Sequence, residues 1–336
     1  MRSLGASGPP ISVLGYGAWI TGADTASTTF DAAGVERAIR TALEADVTWI
    51  DTAEIYAAGA SEEIVGRLVA PVRDDVVVVT KVAPTEAGSG MRPENIRRAI
   101  HGSLRRLGTD RIDLYLLHWY DAAAPIEETW GAMSGLVEDG LARSIGVSNF
   151  GEDLIRRCMS VAPVHAVQNQ LSLLHRDDEG LAVRLSAQGI AFLAYGALAF
   201  GLLSGRVTTN TQLPPSDWRA GRFARYESNY YEELFAPGRI ERSQAFARGL
   251  GVLADAVGVP APVLAVRWVI DRPGVTATII GSLDPEHIRT NARAGTVRLD
   301  AETSRAIAVL LDRYHRDLRA GKEPEPWRIR SASTND

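Results

Sequence analysis

A single cysteine, Cys158, stands in the 336 residues of this chain. One thiol excludes an intramolecular disulfide and any cysteine-cluster metal site, and it agrees with a reducing compartment. No uninterrupted apolar run reaches the ~18 residues of a membrane-spanning helix, and the opening MRSLGASGPPISVLG lacks a basic stretch followed by a long apolar core. Nor is there a block of one charge. The 36 Lys and Arg against 41 Asp and Glu leave a formal charge of -5, and the scattered positive residues give no electrostatic footprint for a nucleic acid. These absences lead to the expectation of a soluble cytoplasmic protein whose partners are small molecules, acting at no membrane. Its oligomeric state stays open.

What is present is a chain able to bury a large core, with 46% hydrophobic residues. Short β-like runs alternate with amphipathic helical stretches. ISVLGYG (11–17), TWID (48–51), VVVVTK (76–81), RIDLYLLH (111–118), ARSIGVSNF (142–150), VHAVQNQ (164–170), GIAFLAY (189–195) and TATIIG (276–281) read as strands. Runs such as VVVV suit strands buried on both faces of a parallel sheet. Eight strands with helices between them predict a closed (β/α)8 barrel, a TIM barrel, as a single domain over 1–320, with a polar tail at 321–336. An open doubly wound sheet is the runner-up, but its phosphate loop is missing: LGYGAW (14–19) lacks the glycine spacing of a dinucleotide fingerprint. One connection is long, 43 residues from 196 to 238. It carries Trp218, Phe223, Tyr226, Tyr230 and Tyr231, and reads either as a loop closing over a pocket or as a packed surface excursion. The stretches 240–256, 260–271 and 300–319 read as helices, the last giving a C-terminal helical segment.

The barrel gives meaning to polar residues at strand ends, because in this fold those ends converge on one face. Asp51, Lys81 and His118 end the second, third and fourth strands, and Tyr56 lies in the loop after the second. A tyrosine hydroxyl titrates near 10, so it gives up its proton readily only where its anion is stabilised. Lys81 would supply that stabilisation, Asp51 would pair the lysine, and His118 would hydrogen-bond the same carbonyl oxygen. Taken singly, each has a plainer account: a structurally paired lysine, a helix cap at Asp51 or a rim histidine. Two rival chemistries are weaker. A metal site from Asp51, His118 and Asp121 has no HExxH-like cluster behind it, and Ser148 has no GxSxG elbow.

In their shared order, IDTAEIYAAGASEEIVG (50–66), TK (80–81), DLYLLHW (113–119), GLARSIGVSNF (140–150), AVQNQLSLLHR (166–176), LAYGALAFGLLSG (193–205) and IIGSLDPEHIRTN (279–291) resemble the blocks of the aldo-keto reductase superfamily. The resemblance runs from about residue 11 to 315. It implies NAD(P)H-dependent, reversible reduction of an aldehyde or ketone to the alcohol, with the nicotinamide cofactor bound without a Rossmann fingerprint. Tyr56 matches the general acid, Asp51 and Lys81 the pair that tunes it, and His118 the residue that orients the carbonyl. Ser148, Asn149 and Gln168 match residues that hold the carboxamide, Tyr195 the aromatic stacked on the ring, and Gly17, Ala18 and Trp19 the first loop. Gly196, Leu198 and Gly201 fall in the pyrophosphate loop, while Gly281, Ser282, Leu283, His287 and Asn291 match the block around the adenosine half. For the substrate wall, Trp19, Trp49, Trp119 and Tyr120 are the candidates. No metal is expected.

The chain departs from the family pattern in three places. Leu283 stands where a basic residue commonly contacts the 2'-phosphate and offers no charge-assisted bond. His287 replaces a common Gln, and Gly196-Ala197 replaces Ser-Pro. The choice between NADPH and NADH is therefore open, with Arg289 and Arg293 as compensating cations. Two alternatives also stay open: a reductase of a nucleotide-activated keto sugar, and a cofactor-binding regulatory subunit with little turnover.

Overall fold

The computed structural model describes residues 1–19, 31–84, 91–212, 234–236 and 238–320. Eight parallel strands close a barrel: β1 (Leu14–Gly17), β2 (Trp49–Asp51), β3 (Val77–Val82), β4 (Ile112–Leu117), β5 (Ala142–Ser148), β6 (Ala166–Gln170), β7 (Ala191–Tyr195) and β8 (Val275–Ile280). They pair in chain order, and β8 bonds both β7 and β1. The doubly wound alternative is thereby excluded. Helices α1 (Ala32–Glu44), α2 (Ala60–Val69), α3 (Pro93–Leu107), α4 (Ile126–Glu138), α5 (Glu152–Met159) and α6 (Glu179–Ala187) fill the connections up to β7. α7 (Arg239–Ala256) and α8 (Ala261–Ile270) precede β8, and α9 (Pro285–Ala292) and α10 (Ala301–Ala320) follow it. No single helix among the described residues is long and apolar enough to cross a membrane.

The expected first strand divides in two. Pro10–Ile11 pairs antiparallel with Arg2–Ser3, and only Leu14–Gly17 joins the barrel. The small hairpin plugs the barrel's N-terminal end: Leu4 and Ile11 join the interior core, and the Arg2 guanidinium bonds the Val275 and Ile270 carbonyls. Residues 213–233, with the five aromatics of the long connection, and the tail 321–336 lie outside the described residues.

Two cores lie on either side of the sheet. Inside are Trp49, Val77, Val79, Leu114, Leu116, Ala166, Ala191, Leu193 and Ala277; outside, Val78, Val82, Tyr115, Leu117 and Phe192 meet the helices. Side chains of a strand alternate between faces, so the inward series continues by twos along each strand to its C-terminal end. It runs from Trp49 to Asp51, from Val79 to Lys81, from Leu116 to His118, from Ala166 to Gln168 and Gln170, and from Leu193 to Tyr195. Apolar layers fill the interior, and polar residues cap it at one rim.

Candidate active site

At that rim Lys81, 1% exposed, forms the centre. Its Nζ donates to Asp51 Oδ1 at 2.5 Å, to the Thr52 carbonyl at 2.8 Å and to the Tyr56 hydroxyl at 3.4 Å. Three ammonium protons thus meet three acceptors. The other Asp51 oxygen accepts from Gln168 Nε2 at 2.7 Å, which accounts for the carboxylate without any capping role. α2 begins later, at Ala60 behind Gly59. Burial pulls the Lys81 ammonium below the ordinary lysine range, and Asp51 opposes that shift. Only one other lysine, Lys322, occurs among the 36 basic residues. Arginine, which does not deprotonate in proteins, fills every remaining basic position.

Tyr56 opens a short 3-10 turn, Tyr56–Gly59, in which Ala57 (φ 50°), Ala58 (φ 53°) and Gly59 (φ 94°) are all left-handed. The turn holds the phenol 3.4 Å from Lys81 Nζ and 3.5 Å from His118 Nε2. His118 is buried, and burial first, then the neighbouring Lys81 charge, push its pKa well below the usual histidine value. The ring is therefore neutral at physiological pH. Trp119 stacks on it at 3.7 Å between centroids. His118 Nδ1 is buried without a hydrogen-bond partner among the described residues. Asp51, Tyr56, Lys81 and His118 thus come together around one hydroxyl.

A second polar group adjoins the first. Asn149, held left-handed at φ 64°, donates from Nδ2 to the His118 carbonyl (3.0 Å) and to Ser148 Oγ (3.2 Å). Its Oδ1 accepts from the Tyr195 hydroxyl at 2.6 Å. Ser148, Asn149, Gln168 and Tyr195 are therefore linked, through His118 and Asp51, to the Lys81 centre. On the neighbouring edge the Ala18 N–H bonds the Asp51 carbonyl at 2.8 Å, and the Trp19 ring meets Phe200 edge to face at 6.3 Å. A Cβ on Gly17 would meet Ile279 at 2.5 Å, so glycine permits that close approach. Gly196, Leu198 and Gly201 belong to the turn after β7, where Ala199 and Phe200 also have positive φ. After β8, Ser282 Oγ lies 3.1 Å from His287 Nδ1, and His287 Nε2 lies 3.2 Å from Asp284 Oδ2. Leu283 packs part-buried on the outer core, and Asn291 is buried.

One expectation needs correction. Trp49 is 0% exposed, donates its indole N–H to the Ser12 carbonyl at 2.9 Å and lies over Gly15. It is a floor residue of the barrel interior, packed in the apolar core below the polar rim. Trp119 and Tyr120 are part-buried near the rim, Tyr120 edge-on to Phe150 at 6.2 Å. The Asp121 oxygens accept from the Met91 and Ala123 N–H groups. Among the described residues no cluster of His, Cys, Asp or Glu is arranged to hold a metal ion.

Sequence reasoning passed over Gln170. It follows Gln168 by two and so faces inward with it, a signal present in AVQNQ. Its buried Nε2 has no partner among the described residues, and the Gly196 backbone packs beside it. A buried donor without an acceptor calls for a polar ligand group. Together with the hydroxyl of Ser148 and the amides of Asn149 and Gln168, it makes this edge fit the polar groups of a nicotinamide cofactor.

The model of the aldo/keto reductase family matches residues 13–312. The Bacillus subtilis protein named aldo-keto reductase YhdN is 32% identical over 317 residues, covering 92% of this chain and 93% of that one. The glycerol dehydrogenase AKR11B4 from Gluconobacter oxydans superposes with a TM-score of 0.81 at 29% identity, covering 99% of this chain and 98% of the other. An aldo-keto reductase from Klebsiella pneumoniae, solved in complex with NADPH, gives a TM-score of 0.69 at 29% identity, with 97% and 96% covered.

Proposed function

The chain belongs to the aldo/keto reductase family and is an NAD(P)H-dependent oxidoreductase; from that premise we propose that Tyr56 delivers the proton as an aldehyde or ketone is reduced to its alcohol. The observation that carries the reading is the convergence of Lys81 Nζ and His118 Nε2 on the Tyr56 hydroxyl, at 3.4 and 3.5 Å. When bound, the cofactor supplies hydride to the carbonyl carbon. Tyr56 holds the proton for the carbonyl oxygen, and the phenolate left behind faces a cation already fixed by Asp51 and the Thr52 carbonyl. Since that cation needs no reorganisation as charge develops, it acts by electrostatic preorganisation. A neutral His118 with its proton on Nε2 donates to the same oxygen and fixes its place. In the reverse direction the tyrosinate accepts the alcohol proton.

Ser148, Asn149 and Gln168 are the residues to hold the carboxamide, with Gln170 beside them and Tyr195 along the ring. The turn carrying Gly196, Leu198 and Gly201, with Gly17, Ala18 and Trp19 opposite, suits the middle of an extended cofactor. Gly281, Ser282, Leu283, His287 and Asn291 suit its adenosine half. There Leu283 is apolar, and His287 is already engaged by Ser282 and Asp284, which supports a weaker preference for the phosphate-bearing cofactor than a basic residue would give. The test is the Tyr56→Phe variant, assayed for cofactor oxidation against a panel of carbonyl compounds. Turnover is expected to fall on the order of 10²–10⁴-fold, with cofactor affinity retained. Full turnover in the variant would refute the role of Tyr56, and a wild type that binds cofactor yet turns over nothing would refute the reductase reading.

A further inference from the structure

Tyr56 leads into a backbone conformation that the residues after it, Ala57 and Ala58, do not favour. Two alanines in the left-handed region cost roughly 1–2 kcal/mol each, and such a turn persists only where its surroundings over-determine it. The turn is closed at its base by Thr52 Oγ1 and Ser61 Oγ, 2.8 Å apart. On either side of Tyr56 stands an acid. Glu62, fully buried, accepts from Thr80 Oγ1 and from Arg106 Nε, both at 2.6 Å. Glu54 accepts from the Ala83 N–H at 3.0 Å, and its other oxygen lies 4.0 Å from an Arg106 terminal nitrogen. Arg106, from the last turn of α3, therefore serves both acids at once. Its side chain also backs the turn, because a Cβ on Gly59 would meet Arg106 Cδ at 2.6 Å.

We propose that Arg106, bridging Glu54 and Glu62, is a positioning residue that holds the left-handed turn and so sets the distance from Tyr56 to Lys81. The inference rests on the reductase reading for its kinetic test. The guanidinium touches no reacting atom. It acts through the turn: Glu54 and Glu62 bracket Tyr56 in sequence, and Glu62 also grips Thr80, the neighbour of Lys81. The acids need the cation. Burial raises the Glu54 carboxyl above the usual range, the Ala83 N–H opposes this, repulsion from Glu62 adds to it, and Arg106 offsets part. Without Arg106, the buried Glu62 carboxylate and the part-buried Glu54 carboxylate would be left together under the turn, with the buried Tyr115 hydroxyl nearby.

The experiment compares full-length wild type with Arg106→Met and Arg106→Lys. A displacement of about 1 Å in a reacting group costs on the order of 10²-fold, so kcat for Arg106→Met should fall by that order. Cofactor dissociation constants should stay within about twofold, since the residues suited to bind cofactor lie on other strands. Arg106→Lys, which keeps the charge, should recover part of the rate. Crystal structures of Arg106→Met and wild type should show the Tyr56 hydroxyl farther from Lys81 Nζ in the variant. An unchanged kcat, a kcat loss matched by lost cofactor-binding capacity, or an unmoved Tyr56 would overturn the proposal. If Arg106→Met fails to fold, Glu54→Gln decides. It keeps an acceptor for Ala83 N–H but removes the charge that Arg106 draws in, so a smaller kcat loss with unchanged cofactor binding is expected, and an unchanged kcat overturns the proposal. A wild type without activity would sink the reductase reading, and the two crystal structures would still decide this one.

Discussion

Lys81 and Asp51 are mutually dependent because neither charge has water to fall back on. Lys81→Met removes the cation but leaves a 3% exposed carboxylate, and an uncompensated buried charge costs about 3–5 kcal/mol. Chemical denaturation should show a loss of that size together with loss of turnover. His118 makes a different prediction, in acid. Its folded-state pKa lies well below the ordinary value, so below about pH 6.5 the unfolded chain takes up a proton that the folded chain refuses. Stability then falls as pH drops, by up to about 1.4 kcal/mol per pH unit from this group. Denaturant titrations of wild type and His118→Asn at pH 7 and pH 5 should show a smaller acid loss in the variant. Equal losses would mean that His118 protonates freely in the fold.

The backbone around Tyr56 gives a test among the secondary-structure elements. Replacing Ala58, at φ 53°, with glycine removes a Cβ from the left-handed region, a gain offset in part by glycine's extra freedom when unfolded. The net expectation is a stabilisation of about 0.5–1 kcal/mol by urea denaturation. Gly66→Ala should do the opposite. Its Cβ would sit 2.1 Å from the Leu107 carbonyl oxygen, forcing α2 away from α3 at a cost of about 1–3 kcal/mol. These helix and turn details were hidden in the sequence, whereas the strands after the divided first one were not. VVVVTK and DLYLLH are continuous apolar runs because both faces of a barrel strand are buried. Alternation then brings Asp51, Lys81 and His118 inward at the ends of those runs. Trp49 was misread as a wall residue although it shares the Asp51 face. Two residues along a strand are about 6.6 Å, a whole layer deeper. Tyr56 sits on a turn with no periodicity, so its place beside the strand-end residues and the chemistry of a phenol near a lysine pointed to it, and motif resemblance gave it its role. Arg106 was beyond reach, since its meeting with Gly59 depends on how α3 packs against α2.

For the molecule as a whole, a bound cofactor couples to the barrel's stability. At about 100 times its dissociation constant a ligand adds about 2.7 kcal/mol, so thermal melts with NADPH and with NADH rank the two without any substrate. With Leu283 in place of a cation and His287 held by Asp284, the preference for NADPH is expected to stay below about 100-fold, or about 2.8 kcal/mol. A larger gap would show that Arg289 or Arg293 reaches the phosphate.

The near-absence of lysine makes the barrel its own reporter. An acylating reagent offered to the intact protein meets only two side-chain amines, and one of them has all three of its protons committed to neighbours. Mass added at Lys81 then counts the occasions on which the rim comes apart, so its rate of acetylation measures local opening with no engineered label.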